Sequence, residues 1–164
     1  MIELARTWLG LLSLTGLLFG GTALAEEPPR SSLLWHTIAV PNTGGQSTPP
    51  KYSWLLREQE IAFEWSLLQM VKDAAARPLP PLAVEFFDAG RYDLDVVSTV
   101  SRINDTSLVR GQLKPPGQGD FSLVINGSAV TGTFHLGRRV FKIEPGTNGR
   151  HRVIEIDPEQ ESKE

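Results

Sequence analysis

Beyond Leu82 the apolar residues fall on every second position. Leu82, Val84 and Phe86 share one face against Glu85, and Tyr92, Leu94 and Val96 repeat the pattern against Asp93 and Asp95, with Val100 continuing it. Leu108 and Gly111 to Leu113 make a further short strand. Phe121, Leu123 and Ile125 alternate with Ser122 and Val124, and Val130, Gly132, Phe134 and Leu136 alternate with Thr131, Thr133 and His135. Val140 to Glu144 and Arg152 to Ile156 complete the set. A period of two puts alternate side chains on opposite faces of a strand. Asn126-Gly127 between two such runs predicts a hairpin with a type I′ turn, whose central residues take positive φ. Gly137-Arg138 offers a second turn, and Pro145-Gly146 stops the strand before it. Short strands about ten residues apart, joined by tight turns, predict an antiparallel β-sandwich or barrel. Neighbours in sequence should pair as a meander.

One stretch has a different rhythm. Between Glu58 and Ala76, Ile61, Trp65, Leu68 and Val71 approximate a helical stripe, with Leu67 and Met70 alongside. Ile61, Phe63 and Trp65 also alternate, so the segment is read as a short strand leading into a helix from Ser66 to Ala76, stopped by Pro78. Upstream, Ser32 to Val40 has the composition of one strand, and Pro41 to Pro50 that of a linker. The first residues have the form of a signal peptide: Arg6, an apolar run from Trp8 to Phe19, then Ala23-Leu24-Ala25 ahead of Glu26. That run falls short of the about 20 residues of a membrane span. The expected organisation is a signal peptide over residues 1–25, a flexible N-terminal arm over 26–52, a β-rich domain over 53–157 and an acidic tail over 158–164. The class is mainly β, a sandwich or barrel with one short helix, periplasmic or secreted from a bacterium.

Composition narrows the chemistry. The chain has 164 residues, no cysteine and a net charge of −3. Without cysteine there is no disulfide framework, no thiolate zinc site and no lipidated N-terminus. The acidic balance argues against nucleic acid as a partner. His36, His135 and His151 show no metal-ligand spacing, although His151 could share a strand face with Glu155 or Asp157. No nucleophile elbow or phosphate loop is present, and Asp93 with Asp95 reads as a solvated face rather than a catalytic pair. Asn104 and Asn126 open glycosylation-type triplets that are read as chance. Trp35, Trp54 and Trp65 are read as core, Trp54 being also placed to dock the arm. The expectation is a non-enzyme with no catalytic residues, no metal and no cofactor.

The C-terminal half nevertheless resembles a known region. Its order of segments is Val109-Arg110-Gly111-Gln112-Leu113, Phe121 to Gly127, Val130 to Phe134, Phe141-Lys142-Ile143-Glu144-Pro145 and Gly149 to Asp157. This series is similar to the propeptide-like region ahead of bacterial secreted zinc metallopeptidases of the reprolysin-like and peptidyl-Asp metalloendopeptidase group, and Ile61 to Leu82 fits it too. The resemblance covers roughly residues 58–157, and the zinc-binding helix of the catalytic half is absent from the sequence. It implies a propeptide's role without peptidase activity: binding a secreted or periplasmic zinc metallopeptidase in trans, as inhibitor or folding partner. Contact would come from strand addition at a sheet edge or from Asn42 to Tyr52 in the protease cleft. The alternative is an envelope β-domain with a structural or adhesive role.

Overall fold

The period-two segments pair in chain order. The computed structural model describes residues 30–39, 52–87, 90–161 and 163. The segment read as a signal peptide and the Pro41 to Pro50 linker lie outside the described residues. The strands are β1 (Ser32–Leu33), β2 (Trp35–Thr37), β3 (Leu55–Phe63), β4 (Leu82–Glu85), β5 (Arg91–Arg102), β6 (Thr106–Leu113), β7 (Gly119–Asn126), β8 (Ala129–Leu136), β9 (Arg139–Pro145) and β10 (His151–Ile156). Helix α1 (Trp65–Lys72) links β3 to β4, and a single turn, α2 (Pro158–Glu161), follows β10. Strands β4 to β10 form an antiparallel meander, and β3 joins it by pairing with β10. The class is mainly β, as the alternation predicts.

What curls the meander into a nearly closed barrel is the segment 32–37. In the sheet order β1 lies at one margin, against β4, and β2 at the other, against β3. Only Leu34 separates the two in the chain, so one stretch of backbone bonds to both margins. Leu34 N–H donates to Ala83 O at 2.8 Å, Glu64 N–H to Leu34 O at 2.9 Å, and Ile38 N–H to Glu60 O at 2.9 Å. Trp35 is 1% exposed. Its ring meets Phe63, Phe86 and Phe134 edge-on at 5.6–5.7 Å, and its indole N–H donates to Glu85 O at 3.1 Å. A tryptophan buries fully at low cost only when that N–H finds an acceptor. The stretch expected to belong to an arm ahead of the body is thus part of the body.

The interior is solid. The ten-stranded sheet encloses a space that side chains fill. Phe86 stacks on Phe141 at 4.3 Å and Phe121 on Phe134 at 5.2 Å, with Leu123, Ile125, Val130 and Val153 packed around them. Helix α1 packs against β5 and β6, burying Leu67, Leu68 and Val71.

Four local expectations need correction. The period of β5 breaks between Val96 and Ser98, where the register against β6 shifts. Such a bulge flips the faces beyond it. Val97 and Val100 therefore point out, 67% and 49% exposed, while Thr99 turns its hydroxyl to Val71 O at 3.0 Å. Second, α1 ends at Lys72 rather than Ala76. Ser101 and Ser107 donate to the Lys72 carbonyl, and Asp73 turns extended and accepts from Ala75 N–H at 2.8 Å. Short polar side chains compete with the helix backbone in this way. Third, Trp65 is 47% exposed. It opens the helix at roughly 110° from the centre of the buried stripe. Fourth, the β7–β8 turn is centred on Gly127-Ser128, because Asn126 pairs with Ala129. Only Gly127 needs positive φ, +57°.

Trp35→Ala should cost about 3–5 kcal/mol, the range for emptying a fully buried aromatic site. Trp65→Ala should cost under about 1 kcal/mol. Urea unfolding of the two variants checks this; equal midpoints would contradict the clasp.

Candidate functional site

Among the described residues the buried polar side chains are Lys72, Ser107, His151 and Glu155. At the end where β10 finishes, Glu155 points inward and is 5% exposed. Arg139 Nε donates to its Oε1 at 2.6 Å and Arg57 Nε to its Oε2 at 2.8 Å. The two guanidinium groups lie over the rings of Phe141 and Phe87, at 4.9 and 4.8 Å from the centroids. Burial is the largest single influence on Glu155 and opposes its charge. The hydrogen bonds and charges of Arg139 and Arg57 together outweigh it and hold the carboxyl below its ordinary range. The cluster seals this end of the barrel, and both arginines keep a polar edge in water.

A second buried polar group is His151, at the opposite end of β10 and 3% exposed. Val130 N–H donates to its Nε2 at 3.0 Å, so the ring proton sits on Nδ1, which meets no hydrogen-bond partner among the described residues. Phe63 packs edge-on against the ring at 4.9 Å. Burial lowers the histidine's pKa below the ordinary 6.5. The ring is therefore a neutral cap on a backbone donor that β9 leaves unpaired.

The sequence raised two constellations, and the fold disperses one of them. His151 and Glu155 do share a strand face, but four residues of strand hold their backbones about 13 Å apart. Glu155 is occupied by arginines, and Asp157 lies beyond the register shift at Glu155/Ile156, where it accepts from Glu159 N–H at 3.0 Å. His135 pairs with Asp120 on the outer face at 2.9 Å, and His36 is exposed on β2. Among the described residues no three His, Asp or Glu side chains converge on a metal position. Asp93 and Asp95 both stand exposed on the outside of β5. The Arg57–Glu155–Arg139 cluster escaped the sequence reading because its members lie on three strands. The one available signal was a glutamate on the inward phase of β10.

Outside, two faces stand apart from ordinary surface. On the wall formed by β3, β10 and β9, Arg152 bridges Glu58 and Glu144 at 3.2 and 2.8 Å, and Arg150 meets Glu60 at 2.9 Å. Below this ladder Ile154 is buried, and Trp54, stacked on Tyr52 at 4.9 Å, lines the groove beside it. On β5, β6 and β7 the register aligns Val100, Leu108 and Val124 as one outward apolar row. Val100 and Val124 are 49% and 40% exposed, and Ile103 at the adjoining hairpin tip is 89% exposed.

No protein-family model, curated protein or solved structure matches the chain.

The two buried groups make the fold acid-sensitive in the same direction. The unfolded chain protonates His151 more readily than the barrel does, so stability is full above about pH 6.5 and falls as the pH drops below it. The contribution of Glu155 is full above its ordinary 4.5 and is lost as the pH falls through its depressed value. His151→Gln should flatten the dependence of the urea midpoint between pH 7 and 5. Glu155→Gln, which keeps the volume and removes the charge, should lose about 1–3 kcal/mol at pH 7.

Proposed function

We propose that this chain is an exported, non-catalytic binding domain that engages a secreted or periplasmic zinc metallopeptidase in trans, as inhibitor or folding partner. The motif series from Val109 to Asp157 supports the choice of partner. The structural observation that carries the binding reading is the apolar row Val100, Leu108 and Val124, with Ile103 at its end. A barrel this full engages partners from outside, and contiguous exposed apolar side chains on a soluble surface favour protein contact. Arg102 and Arg110 flank the row on the same strands and would supply a polar rim.

The geometry favours a face over an edge for that contact. Strand β4 covers only Arg91 to Leu94 of β5. The chain ahead of β4 carries Pro78, Pro80 and Pro81, and a groove there is lined jointly with Asp95 and Val96. Proline has no N–H to offer a strand ladder, so this margin is a poor template for strand addition.

The reading is tested by mixing the protein with purified secreted zinc metallopeptidases of the same bacterium, following co-elution and peptide hydrolysis. The wild type should co-elute and change the hydrolysis rate. A Val100→Asp, Val124→Asp double variant with an unchanged melting curve should bind about tenfold more weakly or worse. No co-elution and unaltered hydrolysis with the wild type would remove the proposal. Recovery of envelope polysaccharide instead would favour the adhesive domain.

A further inference from the structure

A second surface carries chemistry that the binding reading does not use. Where the closing segment meets the start of β5 and the β6–β7 loop, a cavity of about 370 Å³ opens to solvent. Among the described residues Arg91 and Lys114 line it beside the carboxylate of Asp93, with Arg30 at its margin. Asp93 is already engaged by the hydroxyl of Ser31. Arg91 spends one N–H on the carbonyl of Ser31, and a guanidinium has five.

The walls are fixed by backbone. Lys114 N–H donates to Asp93 O at 2.8 Å, Gly117 N–H to Lys114 O at 3.0 Å, and Ser32 N–H to Pro81 O at 2.8 Å. The loop presses on Tyr92: a Cβ placed at Gly117 would come within 2.9 Å of its ring. Tyr92 in turn packs on Phe86 in the core at a centroid distance of 6.2 Å. Pro115 and Pro116 form one side of the opening. Having no N–H, they present an apolar wall beside the cations.

We propose that this cavity is an oxyanion site that takes the phosphate or carboxylate group of a small ligand, with the apolar part of the ligand against Pro115 and Pro116. Arg91 presents a planar fork suited to paired oxygens, and Lys114 a mobile point charge. Preformed walls spare most of the ordering cost that weakens ligand binding. The site lies at the Arg91 end of β5, away from the Ile103 tip at the Arg102 end, so it stands or falls independently of the metallopeptidase reading.

The experiment is a titration of the full chain with inorganic phosphate and, separately, with citrate, against sodium chloride at matched ionic strength, followed by amide chemical shifts. Saturable shifts centred on Tyr92, Asp93 and Lys114 are expected, with a dissociation constant on the order of 1 mM. Lys114→Gln, an exposed change that leaves the backbone bonds in place, should weaken binding roughly tenfold. Arg102→Gln at the far end should leave it unchanged. Saturation by phosphate alone or by citrate alone identifies the oxyanion preferred. Shifts that merely follow ionic strength, or equal binding by Lys114→Gln and wild type, would overturn the site.

Discussion

The closure of the sheet upon itself is the constraint on which everything else here depends. An antiparallel meander left open ends in two margins of unpaired N–H and C=O groups. In this protein a few residues of backbone, Ser32 to Thr37, bond to one margin in parallel fashion and to the other antiparallel. Leu34 and Trp35, at the crossing point, are buried in the process. Burying a tryptophan and a leucine contributes about 3–6 kcal/mol, comparable with the whole net stability of many domains. Trp35 also touches strands from both sides of the seam, its ring meeting Phe63 on β3 and its N–H donating to Glu85 O on β4. Closure and core packing are therefore a single event rather than two.

A barrel closed and filled in this way leaves little room for polar groups, yet His151 and Glu155 are kept inside at opposite ends of β10. Each is satisfied in a manner that protons disrupt: His151 as a neutral acceptor for Val130, Glu155 as an anion between two arginines. The ordinary expectation for a buried ion pair is weak net stabilisation, and the arginines' partial exposure lowers its value further. The arrangement orders the barrel end instead. It draws Arg57 and Arg139 over Phe87 and Phe141 and closes the opening that the strands leave.

With the inside spent on packing, recognition moves to the wall. The apolar row on β5 to β7 exists because a single bulge in β5 turns Val97 and Val100 outward. The cationic cavity exists because the closing segment brings Arg30 and Ser31 beside Arg91 and Asp93, more than fifty residues away in the chain. Both surfaces are by-products of how the barrel is closed and bent.

How much of this was legible beforehand follows from the range of the forces involved. Alternation along β7 and β8 identified the inward residues Phe121, Leu123, Ile125, Val130 and Phe134, because strand geometry alone assigns faces. Class, meander order and the solvated Asp93 and Asp95 follow from the same local rule. The turn at Gly127 was legible to within one residue, since register decides which pair closes the hairpin. Three features needed tertiary contacts. Ser32 to Thr37 has the composition of an isolated strand, and only the position of both sheet margins makes it a closing segment. The bulge at Val97 leaves no mark on a run that reads Tyr92, Leu94, Val96, Val100. The Arg57–Glu155–Arg139 cluster joins three strands that only the barrel brings together. The sequence by itself determined a two-sided sheet, through the period of its side chains. Tertiary structure alone decided where that sheet meets itself, because closure depends on pairing between residues whose separation along the chain carries no local signal.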